Sequence, residues 1–161
     1  MAVTELAETL ARLKLTVTAA ESLTGGLFQN RLCACERASE IYPGGFITYS
    51  PEAKTRLLGV SPEILRKKGT VSEETAIAMA KACREALRTD LGLSLTGVGG
   101  PGPSEGSAPG TVWIGVADCD SVFARPFLFE GKPQEVLDQA VNTAADLLRA
   151  YALDNRDRLA C

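Results

Sequence analysis

The chain contains no histidine. That absence removes the Ser-His-Asp and Cys-His arrangements of nucleophilic catalysis, and every metal motif built on imidazole. Any nucleophile here must take its base from Lys, Tyr, Asp or Glu. Cys33, Cys35, Cys83, Cys119 and Cys161 form an odd set without Cys-x-x-Cys spacing. Such a set argues against a disulfide framework or a zinc site and for buried or incidental thiols. No apolar run approaches the roughly 20 residues needed to span a bilayer. Met1-Ala2-Val3-Thr4-Glu5 also lacks the basic start and apolar stretch of a signal peptide. Cytoplasmic residence, with no membrane partner, is the resulting expectation. A formal charge of -3 with a pI near 5.1 argues against a general nucleic-acid binder, which would show a basic face.

What is present suits one globular domain over residues 1–161, with 45% hydrophobic and 23% charged residues. Residues 4–13 carry Leu6, Leu10 and Leu13 at helical spacing, and Leu15 to Ala20 read as a β-strand. Thr24-Gly25-Gly26 breaks that strand, with Thr24 placed to cap a helix beginning at Leu27. Phe46 to Tyr49 is a second strand. Ser50-Pro51, Ser61-Pro62 and Ser72-Glu73-Glu74 each mark a helix start, the last opening a long helix to about Leu87. Gly92 to Thr96 is a third strand, followed by a Gly/Pro loop to Gly110. Thr111 to Ala117 and Val122 to Phe129 make a hairpin, and Gln134 to Tyr151 a closing helix. The charged tail after Leu153 is expected to fray. Strands separated by helices, then one hairpin, predict an α/β fold: a mostly parallel sheet of about five strands, one antiparallel edge strand, and helices on both faces.

Ligands of open α/β sheets bind beyond the carboxyl ends of the parallel strands. Three polar clusters fall there: Ser22 to Gly26, Tyr49 to Lys54, and Thr96-Gly97 with the glycine loop. Ser22 precedes a Gly-rich helix start, whose free N–H groups could stabilise an oxyanion or hold a phosphate. Simple helix capping by Ser22 and Thr24 explains the same residues equally well. Lys54 alone reads as a solvated surface residue. Without histidine, however, a Ser–Lys pair is the natural way left to activate the hydroxyl, provided that burial or a positive neighbour keeps the amine neutral. Tyr49 could relay a proton or orient that amine, or simply pack at a strand edge. Gly97-x-Gly99-Gly100-x-Gly102 precedes a strand rather than a helix, so it is not a dinucleotide fingerprint, and no Gly-Lys-Ser/Thr makes it a Walker loop. A loop lying close to a ligand and a purely structural crossing both remain open.

Taken in order, several segments resemble the CinA C-terminal domain family: Ala20-Glu21-Ser22-Leu23-Thr24-Gly25-Gly26, Gly44 to Ser50, Glu52-Ala53-Lys54, Leu58-Gly59-Val60, Val71-Ser72-Glu73-Glu74, Thr96 to Pro101 and Gly110-Thr111-Val112. The resemblance runs from about Thr16 to Ala117. It implies a three-layer α/β/α sandwich, and an amidase that hydrolyses the carboxamide of nicotinamide mononucleotide to nicotinate mononucleotide and ammonia. It places the serine nucleophile on Ser22, the lysine on Lys54, the tyrosine on Tyr49 and a positioning threonine on Thr96. Thr24, Gly25, Gly26, Gly97, Gly99 and Gly100 then fall on the substrate-binding side, with no metal and no cofactor. A pyridine nucleotide is the implied small-molecule partner, and self-associating relatives make a homo-oligomer the expectation. Some relatives carry a further N-terminal domain resembling molybdopterin-binding proteins, for which this chain is too short.

Two departures bear on the substrate. The family commonly shows Gly-Asp-Arg and then Val-Arg at the start of the last helix, where this chain has Gly131-Lys132-Pro133-Gln134-Glu135-Val136-Leu137. If an arginine there grips the substrate phosphate in the family, this chain has either lost that contact or replaced it with Lys132. The glycine loop reads Ser107-Ala108-Pro109-Gly110, without the family's lysine. Two alternatives follow: an amidase of the same mechanism acting on another small amide, or a catalytically idle ligand-binding or interaction domain. Ammonia release from a panel of nicotinamide derivatives separates the first. Absent turnover with a ligand-induced melting shift marks the second.

Overall fold

A computed structural model describes residues 1–159; Cys161 lies outside the described residues. The chain opens with α1 (Ala2–Leu13), which buries Val3, Leu6, Ala7, Leu10 and Ala11 on one face and ends in left-handed Lys14. Strand β1 (Val17–Glu21) is buried along its whole length, as a central strand covered on both faces should be. It leads through a glycine turn into α2 (Leu27–Cys33), then α3 (Ala38–Ile41) and the short strand β2 (Phe46–Ile47). Three helices follow: α4 (Pro51–Leu58), α5 (Pro62–Lys68) and α6 (Glu73–Leu87). Ser50, Ser61 and Ser72 cap them, each hydroxyl accepting an amide of the first turn, as the Ser-Pro and Ser-Glu-Glu patterns predict. The chain closes with β3 (Leu91–Gly97), β4 (Thr111–Ala117), β5 (Val122–Leu128), α7 (Pro133–Asp154) and α8 (Arg156–Leu159).

The sheet order is β2-β1-β3-β4-β5. β1 runs parallel to both β2 and β3, while β4 is antiparallel to β3 and to β5. Four strands therefore share one direction. The one reversed strand is β4, a position in from the edge, because the hairpin returns the chain to the parallel sense in β5. One face carries α1, α2 and α7 over Val17, Ala19, Leu91, Leu93, Leu95, Val112, Ile114 and Val116. The other face carries α6, packed on β1, β3, β4 and β5. Small residues set that second layer. A Cβ at Gly92 would fall 2.3 Å from the Ala80 carbonyl oxygen, and one at Gly115 2.6 Å from that of Ala76. Between them the Ser94 hydroxyl donates to the Ala76 carbonyl at 2.6 Å. The helix backbone thus rests directly on the sheet, and any larger side chain at these glycines would lift it off.

Two local expectations are corrected. Within the described residues the segment after Leu153 is helical rather than frayed: α7 continues to Asp154, and α8 (Arg156–Leu159) buries Leu159, the last two residues lying outside the description. Arg158 reaches back to the buried carboxylate of Asp118 at 2.7 Å, and the Tyr151 hydroxyl donates to the same group. A charged tail is held here by one buried acid at the β4–β5 turn. The 38–41 helix was not expected; it is a single turn with only Ile41 buried, too short for a periodic signal. Among the described residues no helix is long and apolar enough to cross a membrane.

Candidate active site

β1 ends at Glu21, so Ser22 is the first residue beyond the carboxyl end of a central parallel strand. Its amide donates to the Leu95 carbonyl at 2.8 Å and holds it to the neighbouring strand. On the other side, α4 starts at Pro51 and places Lys54 in its first turn. Helical side chains lean toward the N-terminus, which sends the Lys54 stem back over the end of β2. Lys54 is fully buried, and Ser22 nearly so. The Lys54 Nζ donates to Ser22 Oγ at 2.9 Å and to the Thr48 carbonyl at 2.6 Å, with the Tyr49 carbonyl at 3.4 Å.

No carboxylate touches this ammonium. Burial lowers the Lys54 pKa to about 8, and the negative charge of Glu105 works weakly against that fall. Its place by the positive end of α4 acts in the same direction as burial. Near neutral pH a useful fraction of the amine is therefore uncharged, and an uncharged amine can accept the Ser22 proton along the hydrogen bond already formed. Of the two requirements on Lys54, burial is met, and it shifts the amine toward its neutral form.

The three clusters at the strand ends converge. Ser22, Leu23, Tyr49, Gly97, Gly99 and Gly100 line one cavity of about 410 Å³, closed by Thr70, Val71, Pro133 and Leu137. A groove of about 480 Å³ between α4 and α5 is lined by Pro51, Thr55, Pro62 and Leu65, away from the Ser–Lys pair.

Other expected residues stand elsewhere. Tyr49 meets the pair through its backbone carbonyl, and the residue as a whole is 73% exposed, so the phenol is not placed as a proton relay. Thr96 is buried and its hydroxyl donates to the Thr70 carbonyl at 2.7 Å; it orders the cavity wall rather than touching Ser22. Thr24 does not cap α2: its hydroxyl is buried without a hydrogen-bond partner. The cap is Glu21, whose carboxylate accepts the amides of Gly26 and Phe28, both at 3.2 Å, and of Gln29 at 2.8 Å. The Gly26 amide is thereby spent inside the fold and is not an oxyanion donor. Gly25 and Gly26 both hold positive φ, which the tight turn between β1 and α2 requires. Lys132 is the N-cap of α7, exposed and absent from the cavity lining, because Pro133 rather than its own side chain turns inward.

The CinA C-terminal domain model matches residues 2–152. The chain belongs to the CinA C-terminal domain family. A competence-damage inducible protein of Lactiplantibacillus plantarum is 46% identical over 156 residues, covering 96% of this chain and 37% of the relative. One from Streptococcus agalactiae is 45% identical over 139 residues, covering 86% of this chain and 33% of the relative. The chain thus spans about a third of the length of these curated relatives. Among solved structures, a competence or damage-inducible protein from Enterobacter asburiae superposes with a TM-score of 0.90 at 37% identity, covering 93% of this chain and 95% of that one. A competence damage-inducible protein from Klebsiella pneumoniae gives 0.92 at 29% identity, covering 94% and 95%.

Within this CinA domain two acids escaped sequence reasoning. Glu21 lies at a strand end where a carboxylate reads as solvated, yet it is wholly buried against the start of α2. Its signal was its position a few residues before the Gly25-Gly26 turn and the start of α2. Glu105 sits in the Gly/Pro loop with positive φ, and its carboxylate accepts the Thr70 amide and hydroxyl at 2.8 and 2.9 Å and the Val71 amide at 3.3 Å. It ties the loop across the cavity wall, a contact 35 residues distant that local pattern could not show.

Proposed function

We propose that this CinA domain is a metal-free amidase in which Lys54 activates Ser22 against the carboxamide of a nicotinamide nucleotide, giving nicotinate mononucleotide and ammonia from nicotinamide mononucleotide. The observation that carries the reading is the buried Ser22–Lys54 hydrogen bond at 2.9 Å, with the amine lowered to about 8 by burial. Neutral Lys54 takes the hydroxyl proton as Ser22 Oγ attacks the carboxamide carbon. The carbonyl oxygen becomes an oxyanion. The amides of Leu23 and Thr24 follow Ser22 directly and enter no hydrogen bond within the described chain, so they are the available donors. The C–N bond then breaks, Lys54 returns its proton to the nitrogen, and ammonia leaves an acyl ester on Ser22. Water hydrolyses that ester with Lys54 again taking and returning the proton.

The Thr48 carbonyl holds the amine in place throughout. A reducing, cytoplasmic setting suits the free thiols of Cys33, Cys35, Cys83 and Cys119. The test is ammonia release from nicotinamide mononucleotide. Wild-type protein should turn over, and Ser22→Ala should lose on the order of a thousandfold or more in kcat with an unchanged melting curve. Near-normal turnover by Ser22→Ala would remove Ser22 as nucleophile.

A further inference from the structure

Among the described residues two buried side-chain polar atoms have no hydrogen-bond partner, the hydroxyls of Thr24 and Thr48, and both stand beside Ser22. Thr24 follows it by two residues, and Thr48 ends the adjoining strand. An unpaired buried hydroxyl costs stability, and folds keep such groups chiefly at functional sites. Thr48 is the one placed toward the base. Its amide donates to the Glu21 carbonyl at 2.8 Å, which extends the β1–β2 register by one step and sets Thr48 alongside Ser22. Strand alternation gives its side chain the face of Phe46, whose partner Ala20 shares a core cluster with Leu58 of α4. Lys54 lies one turn before Leu58 and enters the same layer, where Thr48 is wholly buried.

An ammonium offers three donors. At rest Nζ spends them on Ser22 Oγ at 2.9 Å, the Thr48 carbonyl at 2.6 Å and the Tyr49 carbonyl at 3.4 Å. The last is long, and the Ser22 hydroxyl uses the same oxygen, also at 3.4 Å. Reaction weakens the first. As Ser22 Oγ bonds to the acyl carbon, its proton passes to the amine lone pair, and the oxygen becomes that of an ester, a poorer acceptor. The new ammonium is then buried with one short bond and one long one.

We propose that the Thr48 hydroxyl is a positioning group for the base, turning to accept the third N–H of the Lys54 ammonium once Ser22 Oγ has bonded to carbon. The proposal rests on the amidase reading for its step, and the proton still goes on from Lys54 to the departing nitrogen. Hydroxyl and methyl are near in size, so a change of rotamer exchanges them within one packed envelope.

The test sets turnover against stability. Thr48→Val keeps the shape and removes the unpaired hydroxyl, so it should melt at or above the wild-type temperature. Its kcat for ammonia release should nevertheless fall about tenfold or more, with KM within about twofold of wild type. Thr48→Ser keeps the hydroxyl and opens a methyl-sized gap; it should melt lower yet recover most of kcat. A residue that only packs gives the opposite order. That order, or a Thr48→Val kcat within about twofold of wild type, overturns the proposal.

Labelling by an alkyl fluorophosphonate reads the same proton transfer without an amide: Ser22 Oγ bonds to phosphorus, fluoride leaves, and the proton stays on Lys54. Thr48→Val should slow labelling of Ser22 by about tenfold, and Thr48→Ser should restore it. That result supports the proposal even where nicotinamide mononucleotide releases no ammonia, an outcome that removes the amidase reading alone. Equal labelling of wild type and Thr48→Val, or no labelling of Ser22, overturns the proposal.

Discussion

Lys54 Nζ lies 2.9 Å from Ser22 Oγ and 2.6 Å from the Thr48 carbonyl, with no acidic partner in reach. A buried lysine without a carboxylate is costly to charge, and that cost is what makes it a base. Only the deprotonated amine can accept the serine proton. kcat/KM should therefore rise with pH through a midpoint near 8 and level off above it. Lys54→Arg should be inactive across the range, since a guanidinium stays protonated. Initial rates from about pH 6 to about pH 10 check both outcomes. An acid limb absent from wild type would sink Lys54 as the base.

The same burial should cost stability. The Lys54 pKa falls from 10.5 to about 8 on folding, so between those values the unfolded chain binds the proton that the native chain has released. Stability from this group thus rises with pH across that window, and below about 8 the native state carries the full penalty. Lys54→Met keeps most of the buried stem and removes the charge. It should abolish turnover yet stabilise the fold at neutral pH by about 1 kcal/mol or more, net of the lost bond to Thr48. The melting temperature should rise by roughly 2–4 °C. That gain should shrink as pH approaches 10.5, and a variant that melts lower than wild type at pH 7 counts against the argument.

Much of this was legible before any coordinates. Alternating and capping signals placed α4 and α6 from Ser50-Pro51 and Ser72-Glu73-Glu74, and their hydroxyls do cap those helices. The absence of histidine left lysine as the natural partner for Ser22, and topology brought the two strand ends together. What stayed hidden depends on long-range contact. The exposed phenol of Tyr49 could not be told from a buried one, because β2 is only two residues long and its far side is unpaired. Thr24 reads as the cap of α2, but Glu21, five residues before Gly26, outcompetes it with a charged acceptor. Lys132 reads as a phosphate ligand only until Pro133 is seen facing the cavity in its place.

Glu21 joins fold and site, since the strand that ends in it presents Ser22 next. Its carboxylate takes three amides in a site closed to water. Glu21→Gln keeps one acceptor oxygen and adds an amide donor facing other donors. The change should destabilise by about 2–3 kcal/mol, a fall of roughly 4–12 °C in melting temperature. kcat should fall with it as the 22–26 turn loosens. Thermal melts and turnover on the same sample check this, and an unchanged melting curve would show that the three bonds add nothing.

Glu105 offers the sharpest control on the electrostatics. Its charge opposes the burial of Lys54 and keeps the amine more basic than burial alone would. It also holds the Thr70–Val71 segment, to which Thr96 is bonded through the Thr70 carbonyl. Glu105→Gln preserves an acceptor for those amides while removing the charge. The Lys54 pKa should then drop further, moving the midpoint of the pH–rate profile below about 8 and leaving the plateau rate unchanged. At neutral pH more of the amine is neutral, so kcat/KM should increase there. A midpoint that stays put or moves upward would mean that Glu105 is a structural tie alone, with no electrostatic hold on the base.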